Sequence, residues 1–164
     1  MILVCASIHR SGRGWPQHEA GGTVTLDFDG RHRRRIRLMT DQGEEVLLNL
    51  PKAVAMADGD GLQLEDGRWL KVRAAAEPVV EVRHTDAGQL TRLAWHLGNR
   101  HLPTETGHAV LRIRPDHVIE AMLEGLGASL VKVRAPFQPE GGAYGGHGEH
   151  HHVHSDGSAH RHEQ

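Results

Sequence analysis

The stretch VVEVRHTDAGQLTRLAWHLGNRHLPTE, residues 79–105, decides the fold class because its hydrophobic period changes partway along. Residues 79–84 form an apolar run typical of a strand. After them, apolar residues recur at the i, i+3, i+4, i+7 spacing of a helix, at Leu90, Leu93, Ala94 and Leu97. Thr85 or Asp86 can cap this helix, and Gly98-Asn99 can end it because both residue types tolerate the left-handed conformation. The stretch therefore predicts a strand followed by a helix.

The residues that follow repeat this alternation. Residues 109–114 and 129–133 read as strands, and between them Asp116 can cap a second helix that ends at Gly127. The buried stripe of the second helix is expected at Ile119, Met122, Leu123 and Leu126. With a short strand near residues 102–105, the order becomes β-α-β-β-α-β, which is that of a ferredoxin-like split unit.

The chain before this unit has the pattern of β-structure only. Short alternating runs are separated by turn signals such as Asp29-Gly30, Asp41-Gln42-Gly43 and Asp66-Gly67. Strands at this spacing are typical of a small β-barrel or sandwich. The fold class is therefore predicted to be α+β.

Composition divides the chain into three segments. We expect a small β domain at residues 1–74 and a ferredoxin-like metal-binding domain at residues 75–136, with residues 75–78 as a linker. Residues 137–164 are dominated by Pro, Gly and His, and are expected to be a disordered histidine-rich tail without a core.

The tail is the first candidate for metal binding, because neutral imidazole is the commonest protein ligand of transition metals. An expression tag is the alternative interpretation, and it is disfavoured because other residues interrupt the histidines. The candidate tail ligands are His147, His150, His151, His152, His154, His160 and His162.

Three further histidines are candidates in the second domain. His101 is expected on a tight loop after the first helix, either as a surface residue or paired with its copy across a two-fold axis. Such a pair leaves coordination positions open, which suits metal transfer. On an ideal helix His96 would not share a face with His101. His117 is expected in the first turn of the second helix, and supporting and merely exposed roles both stay open.

The remaining histidines, His9, His18, His32, His84 and His108, are expected at strand ends or on solvated surface. The basic run at residues 31–35 has three interpretations: nucleic-acid contact, a solvated strand, or a docking patch for an acidic partner. A formal net charge of −2 disfavours nucleic-acid binding driven by charge and favours the solvated strand.

Other features of composition narrow the function. Apolar residues make up 38% of the chain and aromatic residues 4%, so the cores are small and oligomerisation is a natural supplement. No apolar run approaches the ~18 residues of a membrane helix. Cys5, the only cysteine, is expected in the core, and it favours a cytoplasmic protein. No convincing catalytic set is present, Glu105 being the only carboxylate close in sequence to His101, so an enzyme is not expected.

Several motifs together resemble those of the UreE family, the nickel metallochaperones of urease maturation. The likeness covers essentially the whole chain, and HLGNRHLP at residues 96–103 together with the tail is its most specific part. The other matching segments are RRR (33–35), DQGEEVLLNLP (41–51), LEDG (64–67) and DHV (116–118).

The resemblance implies a peptide-binding-like N-terminal β domain, a ferredoxin-like metal-binding domain and a homodimer. His101 matches the family's principal metal ligand at the dimer interface, His96 matches a histidine of supporting role, and tail histidines serve as further ligands. Some members carry His-Asp-His at the start of the second helix. This chain has Pro115-Asp116-His117, so only the second histidine is present.

The function implied is delivery of Ni(II) for assembly of the urease active site. The partners would be the urease accessory GTPase and the urease apoprotein complex. Imidazole also binds Zn(II) and Cu(II), so selectivity for nickel is expected to come from partners and metal supply. The alternative function is a histidine-rich nickel or zinc store without a specific delivery partner.

Overall fold

The computed structural model describes residues 2–141, which form two sheets and two α-helices. The first sheet contains β1 to β6: Leu3–His9, Ala20–Leu26, His32–Met39, Glu45–Ala55, Gly61–Leu64 and Trp69–Ala74. A 3-10 turn, Gln17–Glu19, precedes β2. The second half contains β7 (Ala76–Arg83), α1 (Ala87–Asn99), β8 (Glu105–Gly107), β9 (Val110–Ile113), α2 (His117–Gly125) and β10 (Ser129–Pro136). Two-domain α+β architecture is thereby confirmed.

The first sheet is mixed and curled. Its strand order is β2-β6-β5-β1-β4-β3, with β1 parallel to β4 and β2 parallel to β6. The turn after β3, at one edge, reaches β2 at the other edge, where the Asp41 amide donates to the Thr23 carbonyl (2.8 Å). One curled sheet therefore stands where the sequence predicts a small barrel or sandwich, and its concave side encloses an aliphatic core that includes Val24, Leu48, Leu62 and Val72.

Cys5 belongs to this core, as its sequence context predicts. The side chain is fully buried, and burial raises the pKa of the thiol to about 11. The thiolate is the reactive form of cysteine, so Cys5 is a packing residue and not a nucleophile.

The second sheet has the order β10-β7-β9-β8, and all neighbouring strands are antiparallel. The two helices bury their apolar stripes against it. Leu93, Leu97 and Leu123 are fully enclosed, and the other predicted stripe residues pack around them: Leu90, Ala94, Ile119, Met122 and Leu126. In the part of the chain that the structure describes, neither helix is long and apolar enough to cross a membrane.

Two predicted boundaries differ from the structure. The linker expected at residues 75–78 is wrong, since β7 starts at Ala76 and pairs there with Pro136 of β10. Pro78 is tolerated because β9 pairs with β7 only from Val80 onward, so the proline falls where β7 has one neighbour. The short strand expected near residues 102–105 is Glu105–Gly107, because Pro103 lies in the loop before it.

The expectation that residues beyond Pro136 contribute no core is also wrong. Phe137 is fully buried, and its ring packs edge-on against Phe28 of the first half, 5.4 Å between centroids. The guanidinium of Arg31, itself buried, donates to the Phe137 carbonyl and to the Met56 carbonyl (3.1 Å). The first residues of the third segment therefore pack against the first domain, while the tail histidines lie outside the described residues.

Replacement of Phe137 with alanine should destabilise the protein by about 3–5 kcal/mol, since it removes a fully buried aromatic ring. The measurement is the free energy of unfolding in urea at fixed protein concentration. Val131→Ala is the control, because Val131 is 46% exposed on β10 and its truncation should cost far less. Equal losses in the two variants would contradict the packing role of Phe137.

Candidate metal site

The site is built on the C-terminal end of α1. Asp86 caps the start of α1, since its side chain accepts a hydrogen bond from the Gln89 amide (2.8 Å), so the predicted cap is present. Leu93 and Leu97 fix the helix against the sheet. The position of the last turn, and of the histidine that follows it, is therefore set by core packing.

The helix ends in a Schellman motif centred on His101. The Leu102 amide donates back to the Leu97 carbonyl (3.2 Å), and the His101 amide donates to the Gly98 carbonyl (3.0 Å). This arrangement requires a left-handed residue at His101, which has a φ of 55°. The sequence places the left-handed residue at Gly98 or Asn99, and this is wrong: α1 continues through both residues, and neither has a positive φ.

The second helix ends in the same motif and provides an internal comparison. The Ala128 amide donates to the Leu123 carbonyl (3.0 Å), and the Gly127 amide donates to the Glu124 carbonyl (2.9 Å). Here the left-handed position is occupied by glycine, with a φ of 88°. A residue with a Cβ costs roughly 1–2 kcal/mol in this conformation. His101 thus stands where the fold alone favours glycine; Ala109, with a φ of 57°, is the other non-glycine residue with a positive φ among residues 2–141.

His101 is exposed and lines a cleft of about 760 Å³ between the two halves of the chain. The wall on the side of the first domain includes Arg10, Phe28 and His32. His32 is exposed, as expected. The sequence does not predict that it lines the same cleft as His101. No local pattern indicates this, because the two residues come from different domains and are far apart in sequence.

His96 and His117 have different surroundings. His96 is half-buried on α1, with its ring edge-on to that of Trp95 at 5.1 Å between centroids. His117 is the exposed first residue of α2. The neighbouring Asp116 carboxylate is occupied by the amides of Val118 (3.0 Å) and Ile119 (3.1 Å), so it is engaged in capping.

Residues 2–141 of one chain do not assemble a closed metal site. Among residues 2–141, no three side chains of His, Cys, Asp or Glu form a group that could hold a metal ion. Closed sets of protein ligands are typical of structural metal sites. A metal at His101 would therefore need ligands from the tail, a second subunit or solvent.

Residues 138–140, in the first part of the predicted tail, line the cleft. The Gln138 amide donates to Glu105 (2.9 Å), and its side-chain oxygen accepts from the Asp58 amide (2.8 Å) of the first half. The Glu140 amide donates to the Thr104 carbonyl (2.8 Å), three residues after His101. The described chain therefore ends beside the His101 loop.

Glu105 is held in place by neighbouring groups. One carboxylate oxygen accepts from Arg112 (3.1 Å) and the other from the Gln138 amide. Arg112 also bonds Glu81, and the side-chain bonds from Arg83 and Arg112 hold the pKa of the Glu81 carboxyl below its usual range. Both oxygens of Glu105 thus have structural partners, which weakens its candidacy as an acid-base group.

Comparison with known proteins identifies the family. The family model described as UreE urease accessory protein, N-terminal domain, matches residues 6–75, and the C-terminal domain model matches residues 77–163. The chain belongs to the UreE family of urease accessory proteins.

Relatives named urease accessory protein UreE agree with this. The one from Rhodopseudomonas palustris strain BisB18 is 56% identical over 136 residues, which cover 83% of this chain and 64% of the relative. Those from Chelativorans sp. strain BNC1 and Agrobacterium fabrum are 53% and 48% identical, and the matches cover 89% and 92% of their lengths. The match spans 60% and 66% of two Bradyrhizobium relatives, so several UreE proteins are considerably longer than the region shared with this chain.

The strained backbone at His101 can be measured directly. In the presence of a chelator, His101→Gly should be more stable than His101→Ala by about 1 kcal/mol, because both remove the imidazole and only alanine keeps the Cβ. The measurement is unfolding in urea, followed by circular dichroism.

Gly127→Ala is the matched control for this comparison. Gly127→Ala should lose a similar amount of unfolding free energy, because it also places a Cβ on a left-handed residue. No clash adds to this loss, since the new Cβ would meet only the His84 ring at an ordinary 3.6 Å. Equal stability of the two His101 variants would contradict a left-handed conformation at that position.

Proposed function

We propose that the chain is a cytoplasmic nickel-binding metallochaperone, and not an enzyme, that delivers Ni(II) for assembly of the urease active site. The observation that carries the proposal is the exposed imidazole of His101, at a position where helix termination alone favours glycine. Family membership supports the connection with urease, because the relatives are named urease accessory proteins. That name describes assistance to another protein, so delivery is favoured over storage.

The proposed site is shared between two subunits. A single imidazole holds a metal weakly, whereas a two-fold axis through the site would bring two His101 rings to one ion. Trp95, on the same helix, is 63% exposed and provides apolar surface that a second subunit would cover. A homodimer is therefore part of the proposal, with His96 close to the same surface in a supporting role.

The tail histidines would complete the coordination and add weaker sites. The described chain ends at Gly141, and Glu140 is bonded to the His101 loop. An extended chain covers at most about 3.6 Å per residue, so seven residues from Glu140 to His147 allow a reach of up to about 25 Å. Later tail histidines have a longer reach. His117 is the least supported candidate ligand, since it is exposed at the start of α2, whereas His96 lies on α1, the helix that leads into His101.

The two domains would have different roles, metal binding in the second and partner binding in the first. The element order of the second domain, and its antiparallel sheet with both helices packed against it, support a ferredoxin-like metal-binding domain. The first domain would have a peptide-binding-like role towards the urease accessory GTPase and the urease apoprotein complex. Since imidazole also binds Zn(II) and Cu(II), these partners would provide selectivity for nickel.

His101→Ala should abolish the tight phase of nickel binding while the weaker tail sites remain. Isothermal titration calorimetry of the full chain measures both phases. His18→Ala is the matched control, because His18 is exposed in the first domain and should be dispensable.

Truncation after Gly146 is the complementary variant for the same titration. It should bind fewer ions and remain dimeric by sedimentation. A tight phase of nickel binding that survives in His101→Ala would contradict the assignment of His101 to the interface site.

A delivery protein binds specific partner proteins, whereas a storage protein has no such partner. Nickel-loaded full-length protein, used as bait, should retain the purified urease accessory GTPase and pass nickel to the apoprotein complex, measured as urease activity. His101→Ala should transfer at least tenfold less nickel at equal protein. Normal nickel binding without retention of either partner would instead indicate storage.

A further inference from the structure

Strand β3 carries a cluster of positive charge that the proposed metal function does not use. Arg33, Arg34 and Arg35 are consecutive and exposed, and none of them takes part in the ion pairs found within residues 2–141. Arg37, further along the strand, is paired with Glu45 of β4 (3.2 Å). The chain as a whole has a net charge of −2, so the positive charge of β3 contrasts with the slightly negative charge of the whole protein.

The backbone of β3 is also open on one side. β3 is the last strand of its sheet, and in the described chain it pairs only with β4. Eight residues of β-strand have a length of about 26 Å. The outer edge therefore offers a row of free amides and carbonyls long enough to bind a short extended segment.

Strand β4, which pairs with β3, adds a further positive charge beside the arginines. Register with β4 changes from Arg33↔Val54 to Arg35↔Asn49, so residues 50–53 of β4 bulge beside the arginines. Lys52 lies in this bulge, is exposed, and forms no ion pair in the part of the chain that the structure describes. At the other end of the strand, Met39 is 62% exposed.

Charged residues on an edge strand can serve simply to prevent sheet-to-sheet aggregation. That role does not require an uncompensated cluster, and the Arg37–Glu45 pair shows that β4 is able to supply a carboxylate. Adjacent like charges repel one another and destabilise the strand. Carboxylates of a partner would remove this repulsion.

We propose that residues 33–39, the arginine edge, are a docking surface for an extended acidic polypeptide segment of a partner protein. The segment adds a strand to β3 through backbone hydrogen bonds. Its carboxylates face Arg33 and Arg35, which share one face of β3, and an apolar side chain lies near Met39. This surface goes beyond nickel binding, and its failure would leave the metal site at His101 unaffected.

The test uses a fluorescent eight-residue peptide of alternating glutamate and valine, and measures its anisotropy with the full chain. A chelator prevents binding of carboxylates through metal. Affinity should fall at least tenfold between 50 and 300 mM salt, and at least tenfold in R33A/R34A/R35A. The R33K/R34K/R35K variant keeps the charge and should stay within about threefold of the parent protein.

The matched control is R13A/R73A/R92A, which removes the same charge from exposed arginines scattered outside β3 and should bind the peptide normally. Nickel stoichiometry of all variants should equal that of the parent chain, which also verifies folding. A peptide methylated at alternate backbone nitrogens should lose at least tenfold in affinity, because it cannot pair as a strand.

Three outcomes would overturn the proposal. The first is no peptide binding up to millimolar concentration at 50 mM salt. The second is equal binding of the methylated peptide, which would leave charge attraction without strand addition. The third is tighter binding of an oligothymidylate than of the peptide through the same arginines, which would make the surface a nucleic-acid site.

Discussion

The hydrogen bond from the Leu102 amide to the Leu97 carbonyl is the constraint on which the candidate site depends. Leu97 is fully buried and Leu102 packs against the same core, so hydrophobic contact holds the turn closed. With both leucines fixed, the residue before Leu102 must adopt the left-handed conformation. The imidazole of His101 is therefore positioned by a rigid turn, although it lies at the surface.

The same turn links the His101 loop to the rest of the molecule. Beyond Leu102 the chain passes through Thr104 and Glu105, which bind the backbone of residues 138–140. Those residues are in turn anchored on the first domain by the buried ring of Phe137. The described chain thus ends at a point bonded to the loop after His101, which would raise the effective concentration of the proposed tail ligands there.

Helix positions and the order of elements could be predicted from the sequence because they follow from hydrophobic period. The left-handed residue could not, because propensity favours Gly98 and Asn99 while the core contact of Leu102 moves the turn to His101. The burial of Phe137 cannot be predicted, because a single aromatic residue among Pro, Gly and His shows no hydrophobic period. The cleft shared by His32 and His101 depends on how the two halves meet, which no local pattern encodes.

If His101 binds metal as proposed, the lack of a group of three ligands among residues 2–141 favours exchange of the ion over permanent retention. A structural metal site has its full ligand set in one folded unit and stabilises the fold. Here residues 2–141 offer no group of three such ligands, and backbone hydrogen bonds form the helix end at His101. Missing ligands must come from groups that can leave, such as a tail or a second subunit. A site of this kind can release its ion without unfolding, which a delivery protein requires.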